Sequence, residues 1–307
     1  MRILLLGGNG QLGGELHRCL MGLGDVIALD QPEVDFCQPQ SLRQAVVALH
    51  PDWIVNAAAY TNVDRAESEP QIAHLVNAES VGVLAEAALH QSAFFVHYST
   101  DYVFDGKKGQ AYIEEDETCP LNVYGESKLA GEKAVQAVGG KFLILRTSWV
   151  YSLRQGGFVT KVLEWAHSKK ELRIVSDQVG SPTWARSLAV LTTLILNRAM
   201  QDENGKVWME ERTGLYHAGG EGAASRYAWA QAIIAADPMR ETAMVENLLA
   251  ARTEDFPTPA RRPLFTALNC ARLADVFGLR LPAWNEALSL CLRRSEEHTS
   301  ELQSPNT

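Results

Sequence analysis

Two side chains four residues apart, Tyr124 and Lys128 in Asn122-Val-Tyr-Gly-Glu-Ser-Lys128, are the part of this 307-residue sequence best suited to moving a proton. The segment follows Pro120 and reads as the opening turns of a helix. Residues four apart share a helix face, so the phenol and the ammonium address one space. A free tyrosine titrates near pH ~10, and an adjacent cation lowers that value toward neutrality. The pair therefore reads as a proton donor and its partner, although Tyr-x-x-x-Lys alone also describes many surface helices. Upstream, Tyr98-Ser-Thr-Asp-Tyr102 ends an apolar, strand-like run. Its Thr100 supplies a hydroxyl that can hydrogen-bond a substrate carbonyl and hold it for protonation.

A second group of residues reads as a nucleotide cradle. Gly7-Gly-Asn-Gly10-Gln11-Leu12-Gly13 follows the apolar run Ile3 to Leu6 and opens a helix-compatible stretch. Glycines at this spacing let the backbone approach a pyrophosphate at the positive end of the following helix. Asp30 ends the next apolar run, where a carboxylate accepts from adenosine ribose hydroxyls. The dinucleotide is thus NADH or NADPH, with Asp30 favouring NADH. Asp35-Phe36 could bracket the adenine edge, and Asn56-Ala-Ala-Ala-Tyr-Thr61 has small residues at another strand end. Cradle, carboxylate, hydroxyl and Tyr/Lys helix occur in the order that hydride transfer to a carbonyl requires.

The elements that must position these groups alternate short apolar runs with amphipathic ones. Strands are predicted at Ile3-Leu6, Val26-Leu29, Glu33-Phe36, Trp53-Asn56, Phe94-Ser99 and Phe142-Thr147. This is α/β patterning, a Rossmann-type doubly wound parallel sheet, with residues 1–148 as the nucleotide-binding domain. Residues 149–293 read mainly as a smaller substrate lobe, partly interleaved, because late strands at 172–176 and 215–218 could return to the first sheet. The polar stretch 294–307 breaks the pattern and resembles a translated sequencing adapter, so it is set aside.

Bulk composition narrows the function classes. With 46% hydrophobic and 21% charged residues the chain reads as an ordinary globular protein, and no apolar run approaches the roughly 20 residues that cross a bilayer. No signal peptide is evident, so a cytoplasmic location is expected. A net charge of -9 argues against a nucleic-acid partner. Five scattered cysteines fit no disulfide framework or metal spacing and read as buried thiols.

With these residues in hand, the chain resembles the extended short-chain dehydrogenases, and within them the reductases of dTDP-linked 4-keto-sugars. The likeness runs from Ile3 to about Leu292. It rests on Gly10-Gln-Leu-Gly13, Asn56 to Thr61, Val63-Asp-Arg-Ala-Glu-Ser-Glu69, His97-Tyr-Ser-Thr-Asp-Tyr-Val-Phe104, Pro120 to Gly125, Arg146-Thr-Ser-Trp-Val-Tyr151, Asp177-Gln178 with Gly180-Ser-Pro-Thr183, and Pro257 to Pro263. It implies hydride transfer to a C4 keto carbon, with Thr100 and Lys128 assisting Tyr124. Thr61, Val63, Thr100, Asp101, Tyr102 and Trp149 would then meet the sugar, and Ala59, Tyr60, Thr61 and Tyr98 the cofactor.

Two departures stand out. Gly156-Gly-Phe158 replaces the Asn-Asn-Phe often found in the family, and Trp184-Ala-Arg-Ser187 carries an arginine where some members place a carboxylate for a magnesium ion shared between subunits. No metal is therefore expected, and a monomer or weak homodimer without one. A sugar-nucleotide epimerase or dehydratase on the same scaffold remains open, as does a non-catalytic module resembling the regulatory subunit of methionine adenosyltransferase.

Overall fold

A computed structural model describes residues 1–154, 156–202 and 205–303, leaving aside the side chains of 205–206 and 294–303. Arg2–Leu6 forms β1, Gln11–Leu20 α1, Asp25–Leu29 β2, Pro39–Leu49 α2 and Trp53–Asn56 β3. Val63–Ala66 (α3) and Pro70–His74 (α4) lead through a π-helical turn, Leu75–Glu79, into Ser80–His90 (α5). Phe94–Thr100 is β4, Val123–Val138 α6, Phe142–Thr147 β5, Val150–Tyr151 β6 and Phe158–Ser168 α7. Glu171–Val175 (β7), Val179–Gly180 (β8) and Thr183–Trp184 (β9) precede the long Ala185–Gln201 (α8) and the short Gly205–Glu210 (α9). Gly214–His217 (β10), Ala224–Ser225 (β11), Arg226–Ala235 (α10), Asn247–Ala251 (β12), Ala271–Phe277 (α11) and Trp284–Gln303 (α12) complete the chain.

Six strands form one parallel sheet in the order β10-β5-β4-β3-β1-β2. Successive strand residues point to opposite faces, so each strand must be apolar throughout when both faces are covered. Ile3, Leu5, Val55, Val96 and Leu145 pack with α1 and with Leu188, Leu191 and Ile195 of α8 on one face. Leu4, Leu6, Ile54, Phe95 and Ile144 pack with Leu42 and Val46 of α2, Leu84 of α5 and Val135 of α6 on the other. The chain leaves β1 through α1 for β2 on one side and returns from β2 through α2 to β3 on the other, so the strand order reverses beside β1 and opens a crevice at the carboxyl ends of β1 and β3. A second core gathers Val159 and Val162 of α7, Leu172 and Ile174 of β7, Trp229 and Ile233 of α10, and Leu288 and Leu292 of α12.

Several expectations need correction. Glu33-Phe36 is not a strand: Pro32 has no N–H to give a ladder, and Asp35 turns its carboxylate on the N–H of Cys37 at 2.8 Å, making a local turn instead. Of the two late strands, β10 pairs with β5 in the main sheet, but β7 pairs with β12 in a two-stranded sheet of its own. Residues 149–293 are thus divided between both cores, since α8, β10 and α11 pack with the main sheet. The cysteines are not uniformly buried: Cys291 is, whereas Cys37 and Cys119 are exposed. Among the described residues one helical stretch, Pro70–His90, has the length and mean hydropathy (1.3) to span a bilayer, and half of it is buried inside the fold as a core helix. The expectation about the tail falls on 294–307: the backbone continues α12 to Gln303, while its side chains and residues 304–307 lie outside the described residues.

Candidate active site

At the crevice the turn after β1 is drawn tight by glycine. Gly7 adopts φ 80°, and a Cβ on Gly13 would stand 1.9 Å from the Gly7 carbonyl oxygen, so helix α1 can start this close to β1 only with glycine there. Gly10 has no side chain with which to cap α1, and the helix begins at the edge of the cleft. Asp30, just past β2, accepts from Asn9 N at 3.1 Å and Gln31 N at 3.0 Å, tying the glycine turn to the end of β2. These residues form one end of a cleft of about 520 Å³. A turn with no room for a Cβ at Gly7 or Gly13, with a helix amino terminus and a carboxylate beside it, fits the pyrophosphate and ribose of a dinucleotide.

The other end of the same cleft holds the proton-handling groups. Asn122 caps α6, its Oδ1 accepting from Gly125 N at 2.8 Å, and thereby fixes where Tyr124 and Lys128 leave the helix. The Thr100 hydroxyl lies at the end of β4, accepts from Tyr102 N at 3.1 Å, and is hydrogen-bonded to the Tyr124 phenol. Thr61, Val63, Tyr98, Asp101, Tyr102 and Trp149 also line the cleft, as do Gly7, Gly10, Gln11, Leu12, Asp30 and Ala59. Trp149 does so from a left-handed backbone conformation (φ 45°), a costly choice for a bulky residue. Its indole stacks on Trp229 at 5.6 Å and lies beneath the Arg226 guanidinium at 3.6 Å.

Three of the expected cofactor residues do not line the cleft. Asp35 is spent on the turn before α2, accepting from Cys37 N and Gln31 Nε2. Phe36 packs on the core beside α2, and its carbonyl accepts from Ser80 Oγ at 2.6 Å. Tyr60 braces the loop, its N–H donating to Asn77 Oδ1 at 2.9 Å and its hydroxyl to Glu69 at 2.7 Å.

The electrostatics also differ from the expectation. Burial pushes the Tyr124 pKa well above that of a free phenol, against a downward pull from the Thr100 hydrogen bond. Lys128 is not hydrogen-bonded to the phenol. Its ammonium donates to the Tyr98 carbonyl at 2.7 Å and faces His97 Nε2 at 3.3 Å, and burial brings its pKa down to about 8. A phenol held protonated suits a donor more than a base. Under Thr100, the Asp101 carboxyl accepts from the hydroxyls of Thr266 (2.5 Å), Ser148 (2.9 Å) and Thr100 (3.2 Å), and burial pushes its pKa up to about 6.

Sequence reading passed over several groups. Thr147 and Val150 line the cleft simply as neighbours of residues already singled out. Arg226 stands beside Tyr102 and Trp149 with no motif to announce it, and Arg262 reaches Tyr102 while making a bidentate pair with Asp64 at 3.0 and 2.7 Å. Ser99 donates to Glu132 at 2.5 Å, and Arg146 clamps the same carboxylate at 2.9 and 2.7 Å. Between α1 and α8, the buried Glu15 is paired with Arg186 at 3.1 Å and with Arg18 at 3.3 Å.

Comparison with known proteins agrees with this geometry. The family described as RmlD substrate binding domain matches residues 1–297. The dTDP-4-dehydrorhamnose reductase of Burkholderia thailandensis is 45% identical over 95% of this chain and 98% of its own. Among solved structures, the dTDP-4-dehydrorhamnose reductase of Clostridium acetobutylicum superposes with a TM-score of 0.87 at 32% identity, covering 96% of this chain and 100% of its own. That of Bacillus anthracis, in complex with NADP, has a TM-score of 0.85 at 32% identity, over 95% of this chain and 99% of its own. With a likeness that spans the glycine cradle, the Tyr/Lys helix and the later lobe alike, the chain belongs to the dTDP-4-dehydrorhamnose reductase family.

Proposed function

We propose that the chain reduces the C4 keto group of dTDP-4-dehydro-β-L-rhamnose to give dTDP-L-rhamnose, with Tyr124 as the proton donor. The observation that carries this reading is the shared cleft: Thr100, Tyr124 and Lys128 line the same cavity as Gly7, Gly10 and Asp30. Gly7, Gly10 and Asp30 would hold NADPH or NADH, which would supply the hydride. The Thr100 hydroxyl, turned from Asp101, donates to the carbonyl oxygen, and the buried phenol gives that oxygen its proton as the carbonyl electron pair moves onto it. Lys128 supplies a positive charge as the phenol loses its proton. Thr61, Val63, Tyr102 and Trp149 shape the sugar end of the cleft, with Trp149 the flat wall against which a pyranose lies.

The complex of the Bacillus anthracis relative with NADP supports NADPH. Asp30 accepts one backbone N–H on each carboxylate oxygen and keeps lone pairs for a ribose hydroxyl. The test is a direct assay with the keto-sugar and each cofactor. Stoichiometric oxidation of NAD(P)H is expected, whereas an epimerase regenerates its cofactor. Tyr124→Phe is expected to lower kcat by ~10²–10⁴-fold with NADPH affinity retained. An unimpaired Tyr124→Phe variant, or a folded, cofactor-binding protein without turnover, overturns the proposal.

A further inference from the structure

Behind Lys128 runs a chain of buried polar contacts that proton donation by Tyr124 does not itself require. The Lys128 nitrogen faces His97 Nε2 on β4 at 3.3 Å; His97 Nδ1 faces the Asn56 amide Nδ2 on β3 at 3.2 Å; and Asn56 Oδ1 accepts the Ala58 N–H at 3.1 Å. His97 and Asn56 are fully buried, and Ala58 lines the cleft. Each link restricts the next. With its oxygen on Ala58, Asn56 can only donate to Nδ1, so the imidazole proton must sit on Nε2, where it points at Lys128. An ammonium has no lone pair to accept it; a neutral amine has. A charged Lys128 instead needs a bare Nε2, a proton on Nδ1 and the Asn56 oxygen turned toward the ring, which releases the Ala58 N–H to the cleft.

We propose that Asn56 and His97 form a positioning relay that ties the protonation of Lys128 to the backbone of the cofactor-facing loop at Ala58. The groups that bear on it are few. Glu132, one turn along α6, favours the charged lysine and is itself held by Arg146 of β5 and Ser99 of β4; Tyr124 stands one turn back; and the Tyr98 carbonyl accepts from the lysine nitrogen in either case. Burial and the lysine charge keep His97 neutral, as a tautomer switch requires. The meaning for turnover rests on the reading of the site given above, whereas the titration that tests the relay does not.

The experiment is NMR of the full chain labelled at histidine nitrogens and at lysine Cε, titrated through the slightly alkaline range, with the Lys128 signal assigned by its loss in Lys128→Arg. The His97 proton is expected to move from Nδ1 to Nε2 with the midpoint of Lys128. A single tautomer throughout the lysine titration overturns the relay. Asn56→Asp, which can only accept, should fix the proton on Nδ1 and raise the Lys128 midpoint by about one pH unit. In a His97→Phe background that shift should vanish; if it persists, the carboxylate acts through space and the relay is refuted. Should His97→Phe fail to fold, His97→Gln, which presents a single amide to both neighbours, serves as the background, and a shift there of the full size seen with histidine also refutes it.

Discussion

Glu132 and Arg146 offer a sharp test of how the hydroxyl-bearing end of β4 is held. The pair is buried, with side chains 2% and 5% exposed, and the carboxylate receives two guanidinium hydrogen bonds as well as the Ser99 hydroxyl. Glu132→Leu leaves a guanidinium stranded between β5 and the Phe104 ring, which lies 5.1 Å from it, and leaves Ser99 without its acceptor. Breaking a buried pair from one side costs about 3–5 kcal/mol, and the lost hydroxyl bond adds about 1 kcal/mol. That is a large share of the roughly 5–15 kcal/mol that separates folded from unfolded domains. Urea unfolding followed by tryptophan fluorescence should show the loss. Because the cost arises from the orphaned charge, Glu132→Leu with Arg146→Met should recover at least half of it. A single variant within about 1 kcal/mol of the parent, or a double variant no better than the single, would refute the account.

Three further outcomes follow from the geometry. Asp101 has a folded pKa raised to about 6 from the ordinary 3.8, so its contribution to stability is full below the unfolded value and is lost as pH rises through the folded one; relative to Asp101→Asn, the parent should lose ground between about pH 4 and about pH 7 in parallel urea titrations, and a constant difference would contradict this. A Cβ on Gly180 would stand 2.6 Å from the Trp149 ring, so Gly180→Ala should raise KM for the keto-sugar by about tenfold while NADPH affinity holds, and an unchanged KM would remove Trp149 from the sugar wall. Arg186 sits 3.1 Å from Glu15 and fills the place of a cation there, so sedimentation with and without magnesium should agree, and a magnesium-dependent dimer would refute that reading.

What could be read from residues alone were groups announced by local spacing. Tyr124 and Lys128 follow from one helical turn, Gly7 from a turn that tolerates nothing larger, Gly10 from its spacing to Gly7 and Gly13, and Thr100 from its place at the end of an apolar run. Trp149 was visible only through family resemblance, since nothing local predicts its left-handed backbone. Asp35 and Phe36 misled because a strand was expected where Pro32 and an aspartate turn forbid one. His97, Glu132, Arg146 and Arg226 escaped notice for a common reason: their meaning lies in partners brought from distant strands and helices. The upward shift of the Tyr124 pKa was missed similarly, because burial depends on the packed fold and adjacency in sequence does not reveal it.

The return of α8 and β10 to the first sheet makes the molecule hard to divide. A fragment ending near residue 148 would keep the glycine turn and the Tyr/Lys helix, yet it would bare the apolar face that Leu188, Leu191 and Ile195 cover and leave β5 as an unpaired edge. Such a piece is expected to aggregate rather than bind nucleotide. Recombining lobes between relatives would accordingly have to exchange three stretches of chain together, and a graft with a single junction would trade sugar preference for a ruptured nucleotide domain.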